Sequence, residues 1–158
     1  MSPKTDPAGQ KTVVSNRRAS HDYEILERFE AGMVLTGAEV KSVRGGHGSL
    51  AEAFGRVRGG EVWVEGFHIP PYEQHMDKKR YDPVRPRKLL LHRKEIERLI
   101  GKTAEKGLAL VPMRVYFTHG VAKMELGLGR GRRQFEKRQA IAEREHRREM
   151  EQAATRRR

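Results

Sequence analysis

The triplet His21-Asp22-Tyr23 is the first place in the chain where acid–base chemistry suggests itself, because histidine titrates near neutrality. On a strand, however, adjacent residues point to opposite faces, and the sequence places no second base beside it. A structural or nucleic-acid-contacting role fits better than catalysis. The chain has seven histidines and no cysteine. His68 and His75 are separated by Pro70-Pro71, and His119 reads as a turn residue. No His or carboxylate pair has ligand spacing on one element, so neither a metal site nor a cofactor is expected. Gly127-x-Gly129-x-Gly131 is not a phosphate loop, since a charged run follows instead of a helix within a βαβ unit. These glycines read as a hinge, or as positions where another segment approaches the backbone closely.

The remaining chemistry is charge. The chain of 158 residues carries a formal net charge of +12 and a pI near 10.4, which points to a polyanionic partner, most commonly nucleic acid. Residues 129–158 hold eleven Lys and Arg against five Glu, so thirty residues carry half of the net charge. Lys78-Lys79-Arg80 and Arg85-Pro86-Arg87-Lys88 flank a polar loop and suit phosphate contacts, which position a nucleic acid without reading its sequence. Glu30 and Glu39 read two ways: as solvated or ion-paired acids, or as acceptors for nucleotide donor groups.

These residues need a scaffold. Alternation over Tyr23–Phe29, continued by Met33-Val34-Leu35, predicts a strand. Thr36 and Glu39 have capping-box spacing for a short helix over Ala38–Val43. Ala53–Arg58 and Glu61–Phe67 form a hairpin across Gly59-Gly60. Arg87–Leu91 is a strand, His92–Ile100 a helix stopped by Gly101, and Leu108–Phe117 a strand with Pro112 at a bulge or edge. Val121–Leu128 is the last strand. Six or seven short strands and two short helices suggest a mainly β protein built on an OB-type closed antiparallel barrel. The expected divisions are a disordered segment at 1–12, the barrel at 13–129 and a basic tail at 130–158. Phe135–Gln152 is helix-compatible, but its apolar stripe is too thin to dock on a core, so the tail is expected to be disordered when free. The chain has no apolar run long enough to span a membrane and no secretory h-region near its start, which together with the absence of cysteine fits the cytoplasm.

Taken together, Asn16-Arg17-Arg18-Ala19 with His21-Asp22-Tyr23, Phe29-Glu30-Ala31-Gly32, Gly37-Ala38-Glu39-Val40-Lys41-Ser42, Pro71-Tyr72-Glu73, Asp82-Pro83, Arg85-Pro86-Arg87-Lys88-Leu89-Leu90-Leu91-His92, Lys106-Gly107-Leu108, Gly129-Arg130-Gly131-Arg132-Arg133 and Glu136-Lys137-Arg138 resemble, in order, the SmpB family of bacterial SsrA-binding proteins. The resemblance covers about residues 13–150. It implies an oval OB-type barrel flanked by three helices, no enzymatic activity, and binding to the tRNA-like domain of transfer-messenger RNA (tmRNA). It further implies delivery of that RNA to stalled ribosomes for trans-translation, as a monomer on the RNA. The tail would meet small-subunit rRNA in the decoding centre and probe the empty mRNA channel, becoming helical on the ribosome. The implied RNA-binding positions are Asn16, His21, Tyr23, Glu30, Leu90 and Lys123, which moves Glu30 from the solvated reading to the acceptor reading. Arg17, Glu39, Lys41, Arg87 and Lys88, within the same motifs and clusters, complete the candidate interface. In the tail the resemblance implies Gly131, Glu136, Lys137 and Arg138, with Glu136 standing where the family commonly has Asp. Arg132, Arg133 and Phe135 join them as ribosome-contacting candidates.

Two rival readings share the charge or the histidines. One is a ribosomal or ribosome-assembly OB-fold protein. The other is a metal-independent ribonuclease using His21 and His92.

Overall fold

A computed structural model describes residues 6–72, 79–132 and 134–156. Seven strands form one antiparallel sheet: β1 (Gln10–Ser15), β2 (Tyr23–Met33), β3 (Phe54–Arg58), β4 (Glu61–Glu65), β5 (Arg87–Leu90), β6 (Leu108–Thr118) and β7 (Val121–Gly131). The order is β1-β6-β3-β4-β5-β2-β7, and β6 also pairs with β7, so the sheet turns back on itself in a ring. Helices α1 (Ala19–Asp22), α2 (Gly37–Arg44), α3 (Arg93–Thr103) and α4 (Gln134–Arg156) complete the chain. The protein is mainly antiparallel β with a few helices.

Alternation builds the core. In β4, Val62 and Val64 are fully buried while Glu61, Trp63 and Glu65 face outward. Phe29 and Ala31 of β2 meet Leu126 and Met124 of β7 inside the ring. Val43 of α2 and Leu99 of α3, both fully buried, join the same cluster. Arg98 ties α3 to the sheet through a two-pronged pair with Glu27, Nε to Oε1 at 2.9 Å and the terminal NH2 nitrogen to Oε2 at 2.8 Å.

The local signals hold where they are strong. The Thr36 hydroxyl accepts from the Glu39 N–H at 3.2 Å, and Glu39 accepts from the Thr36 N–H at 3.0 Å. Gly59 and Gly60 both take positive φ, as a two-residue turn between paired strands requires. The β6–β7 register shifts between Pro112 and Arg114, so the proline borders a bulge.

Boundaries move where tertiary contacts extend an element. β1 begins at Gln10, inside the segment expected to be disordered. The Asp6 carboxylate accepts from the Thr12 N–H at 3.1 Å and from its hydroxyl at 2.6 Å, drawing that segment onto the sheet. Gly101 does not stop α3, which runs to Thr103; an exposed helical glycine costs only about 1 kcal/mol relative to Ala. β7 continues through Gly131, pairing Arg130 and Gly131 with Glu24 and Tyr23. β7 therefore ends two residues later than Gly129. Beyond it lies α4, 23 residues long, in keeping with its Glu, Arg, Gln and Ala content. Residues 143–155 of α4 are exposed, and the helix approaches the body at α1. Among the described residues the body carries three helices where the pattern suggested two, α1 being the addition.

Candidate nucleic-acid interface

The outer face of β2 and β7 brings together Tyr23, Glu30, Lys123 and Gly131 of the candidate residues. A bulge between Ile25 and Glu27 resets the alternation, so Tyr23, Ile25, Arg28, Glu30 and Gly32 face away from the core. Opposite them stand Gly131, Gly129, Gly127, Glu125 and Lys123. The three β7 glycines are therefore neighbours on one strand face. A Cβ at Gly127 would lie 3.1 Å from Ile25 Cδ1 and from Met113 Sδ; one at Gly129 would lie 3.0 Å from Tyr23 Cβ. Their absent side chains let Tyr23 and Ile25 lie across β7. Close approach, and not hinging, explains Gly127 and Gly129.

Next along this face is a charge network. Arg114 of β6 donates to Glu125 at 2.8 Å, to the Thr12 hydroxyl at 3.0 Å and to the Gln10 side chain at 2.7 Å. Its guanidinium lies 4.2 Å from the centre of the Tyr116 ring, a cation–π distance. Burial alone would raise the Glu125 pKa, but hydrogen bonds from Arg114 and Arg28 more than offset that and hold it below the ordinary carboxylate value. Tyr116, 2% exposed, donates its hydroxyl proton to Glu30 Oε2. Burial, and then that hydrogen bond, push the phenol far above its ordinary pKa, so it stays a donor.

Glu30 itself is exposed, and among the described residues neither it nor Lys123 has a salt bridge. Gly32 pairs with Lys123 on one side and with Leu90 of β5 on the other. Leu90 is 53% exposed. Glu30, Leu90 and Lys123, scattered along the chain, thus surround one glycine. The sequence reading missed Arg28, Arg114, Tyr116 and Glu125. Alternation in β6 puts Arg114 and Tyr116 on one face, but only the register with β7 and β2 shows what they hold.

The other candidates sit elsewhere. Asn16 spends its donors within the protein: its N–H bonds to Met113 O at 2.8 Å and its side-chain amide to Pro112 O at 2.9 Å, clasping the β6 bulge. Arg17 is exposed, and His21 Nδ1 lies 3.0 Å from the Asp22 carboxylate. Lys41 is exposed, its Nζ 5.8 Å from the Tyr72 ring centre. Lys88 pairs with Glu61 at 3.0 Å. Glu39 and Arg87 require correction as interface residues: both are fully buried. Arg87 donates to Glu39 Oε2 through Nε at 2.7 Å, to Pro83 O and the Tyr81 hydroxyl at 3.1 Å each, and to Phe67 O. Arg85 completes the pairing of Glu39 from the half-buried side. Burial would raise the Glu39 pKa, yet the hydrogen bonds from Arg85, the Thr36 N–H and Arg87 bring it below its ordinary value. The cluster ties α2 to β5 and the preceding loop, and an external RNA cannot reach it.

Lys78, His75 and Arg133 lie outside the described residues. Phe135, Glu136, Lys137 and Arg138 fall on the first turns of α4. Arg132 donates its N–H to Asp22 O at 3.0 Å, fixing the exit of the tail beside α1, and its buried Nε has no hydrogen-bond partner among the described residues. The ribonuclease reading loses its geometry. His21 precedes one end of β2, while His92 follows Leu90, paired near the other end. Nine strand steps at about 3.3 Å each, up to roughly 30 Å of strand length, lie between these two ends. Among the described residues no three His, Asp or Glu side chains converge on a point, and no helix is long and apolar enough to cross a membrane.

Fold and surface define a small, strongly basic antiparallel-β protein with a helical charged extension and an outer sheet face set with polar groups. The family model described as SmpB protein matches residues 13–156. The chain belongs to the SmpB family. It is similar to the SsrA-binding protein of Desulforudis audaxviator, 54% identical over 145 residues that cover 92% of this chain and 94% of that one. It is also 54% identical over 149 residues to the SsrA-binding protein of Salinispora arenicola, covering 94% and 93%. A chain in the structure described as "tmRNA-SmpB: a journey to the center of the bacterial ribosome" superposes with a TM-score of 0.64 at 48% identity, covering 80% of this chain and 92% of that one.

Proposed function

We propose that this protein binds the tRNA-like domain of SsrA RNA and brings it to stalled ribosomes for trans-translation, acting as a carrier and not as an enzyme, in the cytoplasm where ribosomes work. The observation that carries the reading is the likeness to SsrA-binding proteins over more than nine-tenths of the chain. The placement of Glu30, Leu90 and Lys123 around Gly32 supports it. The ring of strands is an OB-type barrel in this reading, spanning residues 13 to about 131, and it presents the β2–β7 face to the RNA. RNA of this kind is read through its shape, its backbone and its exposed bases. Asn16, Arg17, His21 and Tyr23 extend the face toward α1, and Lys41 and Lys88 supply outlying positive charge. The tail is a separate functional unit: it leaves the RNA-binding body beside α1 and enters the mRNA channel when no mRNA occupies it. There Arg132, Arg133, Lys137 and Arg138 meet rRNA phosphates, Phe135 stacks on a base, and Glu136 accepts from donors. No metal or cofactor takes part.

The test compares binding of the purified full chain to a transcribed tRNA-like domain and to an rRNA fragment of equal length, beside tag addition on ribosomes carrying truncated mRNA. Selective binding to the first RNA is expected. A protein cut after Arg132 should keep that binding and lose tagging. Preference for the rRNA fragment would favour the ribosome-assembly reading instead.

A further inference from the structure

We infer that the outer face of β3 and β4 is a further RNA site, a platform on which an unpaired base of a single strand stacks against Trp63 while Arg56 and Lys88 hold its phosphates. The inference rests on the proposed RNA-binding role. Alternation in β4 turns Val62 and Val64 into the core and leaves Trp63 outward and half-buried. Phe54, Arg56 and Arg58 of β3 are exposed on the same side. The register lines up Arg56, Trp63 and Lys88 across three strands, one cation on each side of the chain's single tryptophan. Phe54, 49% exposed, stands on the diagonal from Trp63, a separation of about 7–8 Å on paired strands, within reach of aromatic side chains. β4 stands three places from β7 in the ring whichever way the strands are followed, so the platform looks away from β7. Leu90 follows Lys88 by two positions on β5 and shares its face, which joins the platform to the interface already described.

The residue types suit a nucleotide better than a protein. Every base has a flat π-face that an indole covers, and cations beside the stack meet the phosphates on either side of it. The face also carries two carboxylates. Glu65 lies 3.6 Å from Arg56, and Glu61 lies 3.0 Å from Lys88. The Arg56 side chain is nevertheless 54% exposed and that of Lys88 39%. Ion pairs at a surface are weak, so each cation can turn to a phosphate. Arg58 has no salt bridge among the described residues. Glu61 and Glu65, two positions to either side of Trp63 on β4, repel phosphates and so confine the strand to the line of the cations. Stacking carries little base identity, so the platform takes an unpaired strand without reading its sequence.

The single tryptophan lets the site report on itself. The full-length protein is titrated with a short single-stranded oligoadenosine, and Trp63 emission is read beside the anisotropy of a label on the RNA. Stacking should quench the emission with the same midpoint as the anisotropy. Trp63→Leu should weaken binding roughly tenfold, the scale of one base–aromatic stack, and Trp63→Phe should restore most of it. Arg56→Gln, at an exposed position outside the core, should make the log–log salt slope shallower by about 0.7. Thermal melting checks that the variants fold. The tRNA-like RNA tells apart two sources of such a strand. Quenching by that RNA alone assigns the platform to one of its own unpaired stretches. Undiminished quenching by oligoadenosine on protein already saturated with it assigns the platform to a second RNA. Emission that neither RNA changes overturns the inference and leaves the face to a protein partner. A Trp63→Leu protein that binds oligoadenosine as tightly as wild type overturns it too. Failure of the wild type to bind the tRNA-like RNA would instead overturn the proposed function.

Discussion

Glu30 and Glu39 are single carboxylates in a chain of net charge +12, and the fold puts them to opposite uses. Glu39 is sealed between Arg85 and Arg87 with no exposed surface, whereas Glu30 stands on the outer face against one tyrosine hydroxyl. Removing one partner of a buried pair leaves the other charge uncompensated, at a cost of about 3–5 kcal/mol. Glu39→Ala should therefore lower the unfolding free energy by that amount, read as a lower urea midpoint with little change in slope. The pH dependence has a definite sign. The folded pKa of Glu39 is depressed, so its contribution is complete above the unfolded value of about 4.3 and fades as pH falls through the lower folded value. Wild type minus Glu39→Gln, compared by urea titration at descending pH, should shrink below about pH 4.3. A constant difference would mean that the charge of Glu39 adds nothing to stability.

At the scale of elements, β7 decides how the glycine run is used. Gly129 lies beneath Tyr23, where an added Cβ would come within 3.0 Å of Tyr23 Cβ, while a Cβ at Gly131 would meet nothing within 4 Å. Gly129→Ala should cost roughly 1–3 kcal/mol by overpacking. Gly131→Ala should leave stability nearly unchanged, since its backbone has ordinary negative φ. Equal effects in thermal melts would return both residues to a hinge role. α4 behaves differently from the strands. Its described side chains from Glu143 to Thr155 are exposed, and isolated helices gain little without a buried face. Hydrogen exchange in the RNA-free protein should run fastest over α4 and slowest over β2 and β7. Strong protection of α4 would place it against the body through contacts beyond α1.

At the scale of the whole molecule, charge is divided between a folded body and an appended helix. If Lys and Arg of the body neutralise RNA phosphates, affinity should fall with salt by a log–log slope of about −0.9 per duplex contact and −0.7 on single strands. A protein cut after Arg132 retains the β7 pairs to Tyr23 and Glu24 and should show the same slope with the isolated tRNA-like RNA. A cut after Gly129 would sever two of those pairs and confuse folding with binding. A shallower slope for the Arg132 cut would mean that the arm also neutralises phosphates of this RNA.

The chain's own order of residues determined whatever depends on near neighbours: the β alternation, the Thr36–Glu39 box, the Gly59-Gly60 turn, the Pro112 bulge and the concentration of charge after Gly129. Each is a local preference of backbone or side chain, felt within a few residues. The ordered motifs also carried the family and the cluster of Glu30, Leu90 and Lys123, although nothing in their spacing placed them side by side. Pairing across strands did that, since β2 meets β5 and β7 at Gly32. Pairing also sent Arg87 inward to Glu39, which no count of basic residues distinguishes from an exposed cluster. Gly127 and Gly129 carry the same lesson: a missing side chain has meaning only once the residue lying over it is known, and Tyr23 and Ile25 are about a hundred positions away in the chain. Burial, register and the company a charge keeps are properties of long-range contact, and those only the tertiary structure decided.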